Sequence, residues 1–235
     1  MVENEPGYVL HCRNFTDSRL LVETFSQNFG RVSGVLRVSA SKARGGQLKP
    51  QQFVPYLLGF SGHHELKTFR QLEVRGVPVL QQGRRLFCGL YLNELLQRAL
   101  PVEDPYPAVY ELYEASLHEL AGANEGSEDI PLRRFEFQFL AELGYGLNFT
   151  SDQDGQPLEI DSGVFYHYQP SVGFARVHRP DNSQRGNLFS GAALSALENP
   201  DWLSSDVRST AKRFCRLAIA DILGGAPLRS RELFH

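Results

Sequence analysis

Asn28-Phe29-Gly30-Arg31-Val32-Ser33-Gly34-Val35-Leu36-Arg37-Val38 is the stretch on which the fold turns. Arg31, Ser33 and Arg37 alternate with Val32, Gly34, Leu36 and Val38, the period-2 pattern of a strand with one buried face, and only Val35 breaks it. Asn28-Phe29-Gly30 supplies turn chemistry ahead of it. Toward the N-terminus, Leu20–Phe25 reads as a strand, preceded by the turn-forming Asn14-Phe15-Thr16-Asp17-Ser18 and by a first strand, Tyr8–Arg13. Toward the C-terminus a polar stretch at 39–50 leads to Phe53–Phe60 and then Glu65–Val74. Short strands so closely spaced call for a small closed or nearly closed barrel. The oligonucleotide-binding (OB) fold is the commonest five-stranded solution, and an SH3-like barrel fits the pattern almost as well.

From residue 84 the period becomes helical. Leu86, Phe87, Leu90, Tyr91, Leu95 and Leu96 recur at i, i+3/i+4 up to Pro101. A second helix is expected over 106–121 and a third from Pro131 to Gly144, with Gly122–Asp129 a polar loop between them. Residues 148–188, broken by Gly and Pro, read as an irregular or β-rich insertion. A short helix at 190–198 and a long one opening at Ser204-Ser205-Asp206 and closing at Leu223-Gly224-Gly225 complete the chain. The expected architecture is α+β: a barrel domain over 1–80, and a helical domain over 81–235 that carries the insertion.

At 235 residues and 42% hydrophobic content, the chain can bury a sizeable core. No apolar run approaches the roughly 20 residues of a membrane helix, and the acidic start Met1–Pro6 lacks the pattern of a secretory signal, so a cytoplasmic setting is expected. Cys12, Cys88 and Cys215 lie far apart, which argues for reduced thiols and against a disulfide framework or a zinc ribbon. The net charge of −3 conceals an asymmetry: residues 1–100 hold 13 Lys/Arg against 7 Asp/Glu, and residues 101–205 hold 5 against 17. A basic first part is the electrostatic footprint of a protein that meets a polyanion, although solvated surfaces also show such bias.

Catalytic patterns fail on inspection. Gly59-Phe60-Ser61-Gly62-His63 lacks the final Gly of a nucleophile elbow, no P-loop occurs, and Gly144-Tyr145-Gly146 has Phe149 where a dinucleotide fingerprint needs its third Gly. The rings of His63 and His64 would point to opposite faces of a strand and could not share a metal. The acidic run from Glu103 to Asp129 reads as a solvated helical face. No constellation implies an enzyme or a cofactor.

Three features remain. Arg31, Arg37, Lys42, Arg44 and Lys49 fall within 31–49 with no Asp or Glu among them. In an OB barrel this region borders the binding face, where cations neutralise phosphates and aromatics such as Phe15 and Phe29 stack on bases; Phe53 fits the barrel core better. On the third helix Arg133 and Phe137 share a face with Leu140 one turn on. A cation beside an apolar groove suits a peptide ending in an aromatic residue and a free carboxylate, or is simply an arginine snorkelling at the core's edge. On the last helix Arg208, Lys212 and Arg216 form a basic stripe, a secondary polyanion face or a solvated one.

The chain also resembles the RecO family of bacterial DNA repair proteins, particularly its γ-proteobacterial members. The likeness is carried by Gly7–His11, Phe53-Val54-Pro55-Tyr56-Leu57-Leu58-Gly59-Phe60, Glu65–Thr68, Gly89–Leu96, Leu132-Arg133-Arg134-Phe135-Glu136, Leu143–Phe149 and Pro227–Phe234. The resemblance implies an N-terminal OB fold, a helical C-terminal domain, binding of single- and double-stranded DNA, strand annealing, and no covalent chemistry. The partners it implies are RecR and the acidic tail of single-stranded DNA-binding protein (SSB), whose terminal carboxylate it sets beside Arg133. Many relatives hold zinc with four cysteines in the insertion. Residues 148–188 contain no cysteine, so no zinc is expected, and Phe165, Tyr166, Tyr168 and Phe174 are expected to pack the insertion together. The competing reading is a non-catalytic adaptor whose barrel and helical groove bind proteins without touching DNA.

Overall fold

A computed structural model describes residues 1–38, 49–145, 148–178 and 186–234. Five strands, β1 (Val2–Thr16), β2 (Arg19–Ser26), β3 (Gly30–Arg37), β4 (Pro55–Ser61) and β5 (Leu66–Val74), close into a barrel in the order β1-β2-β3-β5-β4. That order is the OB topology, sealed by a parallel β3–β5 pairing in which Ser33 faces Leu66 and Leu36 faces Phe69. The alternation read from the sequence is what buries the core. Val22, Val32, Leu58, Phe60 and Phe69 point inward, and the half-buried Leu36 packs against them. Gly34 permits the closure, because a Cβ there would sit 2.7 Å from the Phe69 ring.

Helices α1 (Gly83–Ala99) and α2 (Pro107–Gly122) follow. The chain divides into two compact units, Met1–Ala123 with Leu228–His235, and Asn124–Pro227. Packing thus keeps the first two helices with the barrel, whereas the sequence pattern set a boundary at 80. A buried relay accounts for this: Tyr113 donates its hydroxyl to Asn93 Oδ1 at 2.6 Å, and Asn93 Nδ2 donates to the Leu10 carbonyl at 3.1 Å. The α1 face that packs is Cys88, Tyr91, Leu92, Leu95 and Leu96. Leu86, Phe87 and Leu90, expected in that stripe, are half-buried. Phe87 instead meets Phe234 of a closing 3-10 turn, Arg229–Phe234. Glu94 anchors that turn, accepting the Arg229 and Ser230 backbone N–H groups and the Ser230 hydroxyl.

The second unit holds α3 (Asp129–Glu142), a three-stranded sheet of β6 (Phe165–Gln169), β7 (Gly173–Val177) and β8 (Leu188–Ser190), then α4 (Gly191–Glu198) and α5 (Ser205–Ile222). Ser190 and Ser204 cap α4 and α5 through their hydroxyls. Phe214 of α5 is the hub of an aromatic core, 4.8 Å from the Tyr168 ring and 5.1 Å from that of Phe149, with Phe137, Phe174 and Phe189 around it. Tyr166, Tyr168 and Phe174 of the insertion are buried and Phe165 is half-buried. Among the described residues, no group of three or more His, Cys, Asp or Glu is placed to hold a metal ion, and no helix is long and apolar enough to cross a membrane.

Candidate nucleic-acid interface

The β2–β3 hairpin decides where the barrel's charge goes. Its antiparallel register pairs Arg19 directly with Arg37. On the other side of β3, Arg70 follows Phe69, the partner of Leu36, and so continues the same row on β5. Three arginines therefore stand side by side across β2, β3 and β5. All are exposed, and none has an ion-pair partner among the described residues. Like charges at opposed cross-strand positions destabilise a sheet. An anion lying along such a row would offset that repulsion.

The row borders a groove of about 1080 Å³ at one end of the barrel. Phe15, Lys49 and the three arginines line its rim, while Leu20, Leu36, Val54, Tyr56 and Leu72 lie beneath. Asp17 is the one carboxylate among the described lining residues. A second cavity of about 520 Å³ shares all three arginines and extends along β5. Lys49 is held near the rim because the Gln51 backbone N–H donates to the Tyr56 hydroxyl at 2.9 Å. Burial raises the Tyr56 phenol, which that contact partly offsets, so it stays protonated.

The cations expected to act together separate. Arg37 and Lys49 line the groove. Lys42 and Arg44 lie outside the described residues. Arg31, at the opposite end of β3, is committed elsewhere. Its guanidinium donates to the Leu100 carbonyl at 2.6 Å and pairs with Glu23 at 3.5 Å, with the side chain only 14% exposed. Burial lowers its affinity for the proton and Glu23 partly restores it. Lys67 is likewise spent, 2.7 Å from Glu103. Both tie the segment after α1 to the barrel. Phe15 and Phe29 also part company: both are exposed, but Phe15 stands at the groove's rim, whereas Phe29 lies outside its lining and packs edge-on against Phe60 at 5.5 Å. Phe53 is core, 1% exposed. Arg19 and Arg70 were not singled out from sequence. The Arg19–Arg37 pairing was within reach of it, since the two are symmetric about the turn at Asn28.

In the second unit, the face expected to form a peptide groove is mostly interior. Leu140 is fully buried, and Phe137 packs on Phe149, Trp202 and Phe214. Helix α3 also buries Leu132, Phe135 and Phe139, and leaves Arg134, Gln138 and Glu142 as its exposed strip. Arg133 is 9% exposed and paired with Glu136 at 2.5 Å. The α5 stripe divides too. Arg208 bonds Asp129 at 2.7 Å and the Trp202 and Leu203 carbonyls, leaving Lys212 and Arg216 as its exposed members.

Known proteins resemble the chain over nearly its whole length. The N-terminal family model, "Recombination protein O N terminal", matches residues 1–77, and "Recombination protein O C terminal" matches 80–232. A protein of Marinobacter nauticus named DNA repair protein RecO is 40% identical over 234 residues, covering 99% of this chain and 94% of that protein. Proteins of the same name from Pseudomonas aeruginosa and Salmonella enteritidis are 42% and 38% identical, each covering 97% of this chain and 92% of the relative. With both models matched in order and relatives alike from end to end, the chain belongs to the RecO family of DNA repair proteins.

Proposed function

We propose that the chain is a recombination mediator that catalyses no covalent chemistry. It binds single- and double-stranded DNA, anneals complementary strands, and engages SSB and RecR to help load the recombinase at the nucleoid. The row Arg19–Arg37–Arg70 carries this reading. With Lys49 it gives phosphates four exposed cations, and a bound backbone relieves repulsion that the free protein sustains. Annealing follows from the same electrostatics, since a basic surface screens the repulsion between two strands.

For the SSB tail, Arg133 remains the proposed contact. Its burial makes the mode an exchange: the terminal carboxylate takes the place of Glu136, and Trp202, whose ring meets Phe137 edge-on, is followed by the exposed Leu203. The exposed Lys212 and Arg216 are a secondary polyanion face.

An annealing assay on SSB-coated complementary strands tests the whole. Arg37→Glu should weaken DNA binding and annealing while retaining SSB-tail binding, and Arg133→Met should weaken SSB-tail binding while retaining both. If the intact protein shows no salt-dependent affinity for labelled oligonucleotides at micromolar concentration, the adaptor reading replaces this one.

A further inference from the structure

The barrel unit carries a second set of uncompensated charges, opposite in sign to the mouth. Glu5 of β1 is 5% exposed, and its carboxylate accepts the Asn28 backbone N–H at 2.7 Å and the Asn28 side-chain amide at 3.1 Å. Neither donor brings a charge. Glu114, half-buried on α2, accepts the Tyr8 hydroxyl at 2.8 Å, again a neutral donor. Glu111 is exposed one turn earlier on the same helix. None of these three carboxylates has an ion-pair partner among the described residues, whereas Glu23 and Glu103 are each matched by a cation. A buried carboxylate without a counterion is costly, and a cation brought beside it offsets that cost.

Tyr110 of α2 lies close to both Glu5 and Glu114. Its ring packs on Tyr8 at 6.0 Å and on Phe25 at 5.7 Å, and the residue is 4% exposed. Its hydroxyl makes no hydrogen bond among the described residues, although the oxygen is not sealed from solvent. Burial raises the Tyr110 phenol, and the charges of Glu114 and Glu5 raise it further, so it stays protonated. An unpartnered phenolic oxygen beside two uncompensated carboxylates is a set of acceptors for a cation with several N–H donors. Guanidinium fits better than ammonium, because its five donors fan out in one plane and reach several acceptors at once.

We propose that the notch formed by Glu5, Tyr110 and Glu114 takes an arginine side chain of a protein partner. The surroundings favour a protein over a free amine. Ala108, Glu111 and Ala115 are exposed on one face of α2, so small side chains leave room for a second backbone to lie along the helix, and Glu111 extends the negative strip beneath it. Arginine is also the charged side chain that interfaces favour. The inference is independent of the DNA-binding reading, since a face of this sign repels phosphates.

The experiment uses the intact chain, isotope-labelled at tyrosine Cζ, titrated with capped Gly-Xaa-Gly peptides in which the central residue is arginine, lysine or citrulline, and separately with spermidine. The Tyr8 and Tyr110 resonances report occupancy, and Tyr8 still reports it in Tyr110→Phe. The arginine peptide should shift both; citrulline, which keeps the shape and loses the charge, should bind about 10-fold more weakly or worse. Glu114→Gln, which still accepts the Tyr8 hydroxyl, should weaken the arginine peptide about 10- to 150-fold. Tyr110→Phe removes an oxygen that holds nothing in the fold, so it should weaken that peptide about 2- to 10-fold and leave the melting temperature unchanged. Resonances that no peptide moves, or arginine binding unaltered in both variants, overturn the notch. Spermidine or the lysine peptide binding as tightly as arginine overturns the choice of a partner's arginine. A lower melting temperature for Tyr110→Phe overturns it as well, because the hydroxyl then serves the fold.

Discussion

Arg31 and Arg37 lie on one strand, six residues apart and on the same face, and the structure gives them opposite tasks, so exchanging their charges one at a time is a sharp test. Arg37 belongs to the unpaired row at the mouth; Arg31 holds the Leu100 carbonyl and Glu23. If each of the four exposed mouth cations neutralises one phosphate, the slope of log affinity against log salt for a single strand is about −2.8, at about −0.7 per contact. Between about 50 and 200 mM salt that amounts to about a 50-fold loss of affinity. Arg37→Gln should flatten the slope to about −2.1, about an 18-fold loss over the same range, while leaving the melting temperature unchanged or slightly raised, because a like-charge pair has been removed. Arg31→Met should leave the slope unaltered. It strips a buried carbonyl of its donor at about 1–3 kcal/mol, which lowers the melting temperature by about 2–4 °C per kcal/mol in a chain of this size. Lys42 and Arg44 would steepen every slope alike, so the difference of about 0.7 is the quantity to read. Fluorescence anisotropy across a salt series, paired with thermal melts, measures both. A slope that falls as far for Arg31→Met as for Arg37→Gln would refute the division of charge between the two ends of the strand.

Other consequences can be checked independently. Tyr113→Phe leaves Asn93 Oδ1 buried without its donor and should cost about 1–3 kcal/mol in urea denaturation, with DNA affinity unchanged. Arg133→Met removes half of a buried ion pair and should cost about 3–5 kcal/mol; adding Glu136→Leu should recover most of that stability and still not restore SSB-tail binding. Burial alone would raise the Glu94 carboxyl, but the Ser230 hydroxyl, the Ser230 and Arg229 amides and nearby Arg98 outweigh it and hold it below the ordinary glutamate value. A depressed carboxylate contributes stability above its unfolded-state pKa and loses it as pH falls through the folded one. Acidification through that window should therefore loosen the C-terminal turn, seen as faster exchange of the Arg229 and Ser230 amides relative to their intrinsic rates, and Glu94→Gln should remove the pH dependence.

The barrel was legible because strand alternation is local: Val32, Gly34 and Leu36 announce their face within one strand. Helix phase was less so. In α1, polar Asn93 packs inward because a carbonyl of β1 awaits it, and no periodicity of apolar residues can report a hydrogen bond across 83 positions. The site was half-legible for the same reason. Positive charge shows in sequence; its compensation does not. Glu23 and the Leu100 carbonyl, which neutralise and bury Arg31, come from a neighbouring strand and a distant helix end. The hairpin turn fixes Arg19 opposite Arg37, but Arg70 joins them only through the parallel closure of β3 on β5, which no local turn dictates. On α3, Arg133, Phe137 and Leu140 do share a face, yet whether that face meets solvent depends on Phe149 and Phe214, which arrive from the insertion and the last helix.

What separates fold from function in this barrel is the treatment of its cations. Where a positive side chain serves the fold, a carboxylate is supplied: Glu23 for Arg31 and Glu103 for Lys67. At the mouth the described chain supplies Asp17 alone against three arginines and a lysine. Optimising the sheet for stability would place a carboxylate or a neutral residue opposite Arg37, and Arg19 stands there instead. The same end of the barrel also leaves the apolar ring of Phe15 49% exposed. Two departures from the stable choice, one in charge and one in apolar exposure, coincide at one rim, which is where a ligand carrying both phosphates and rings would make each of them favourable.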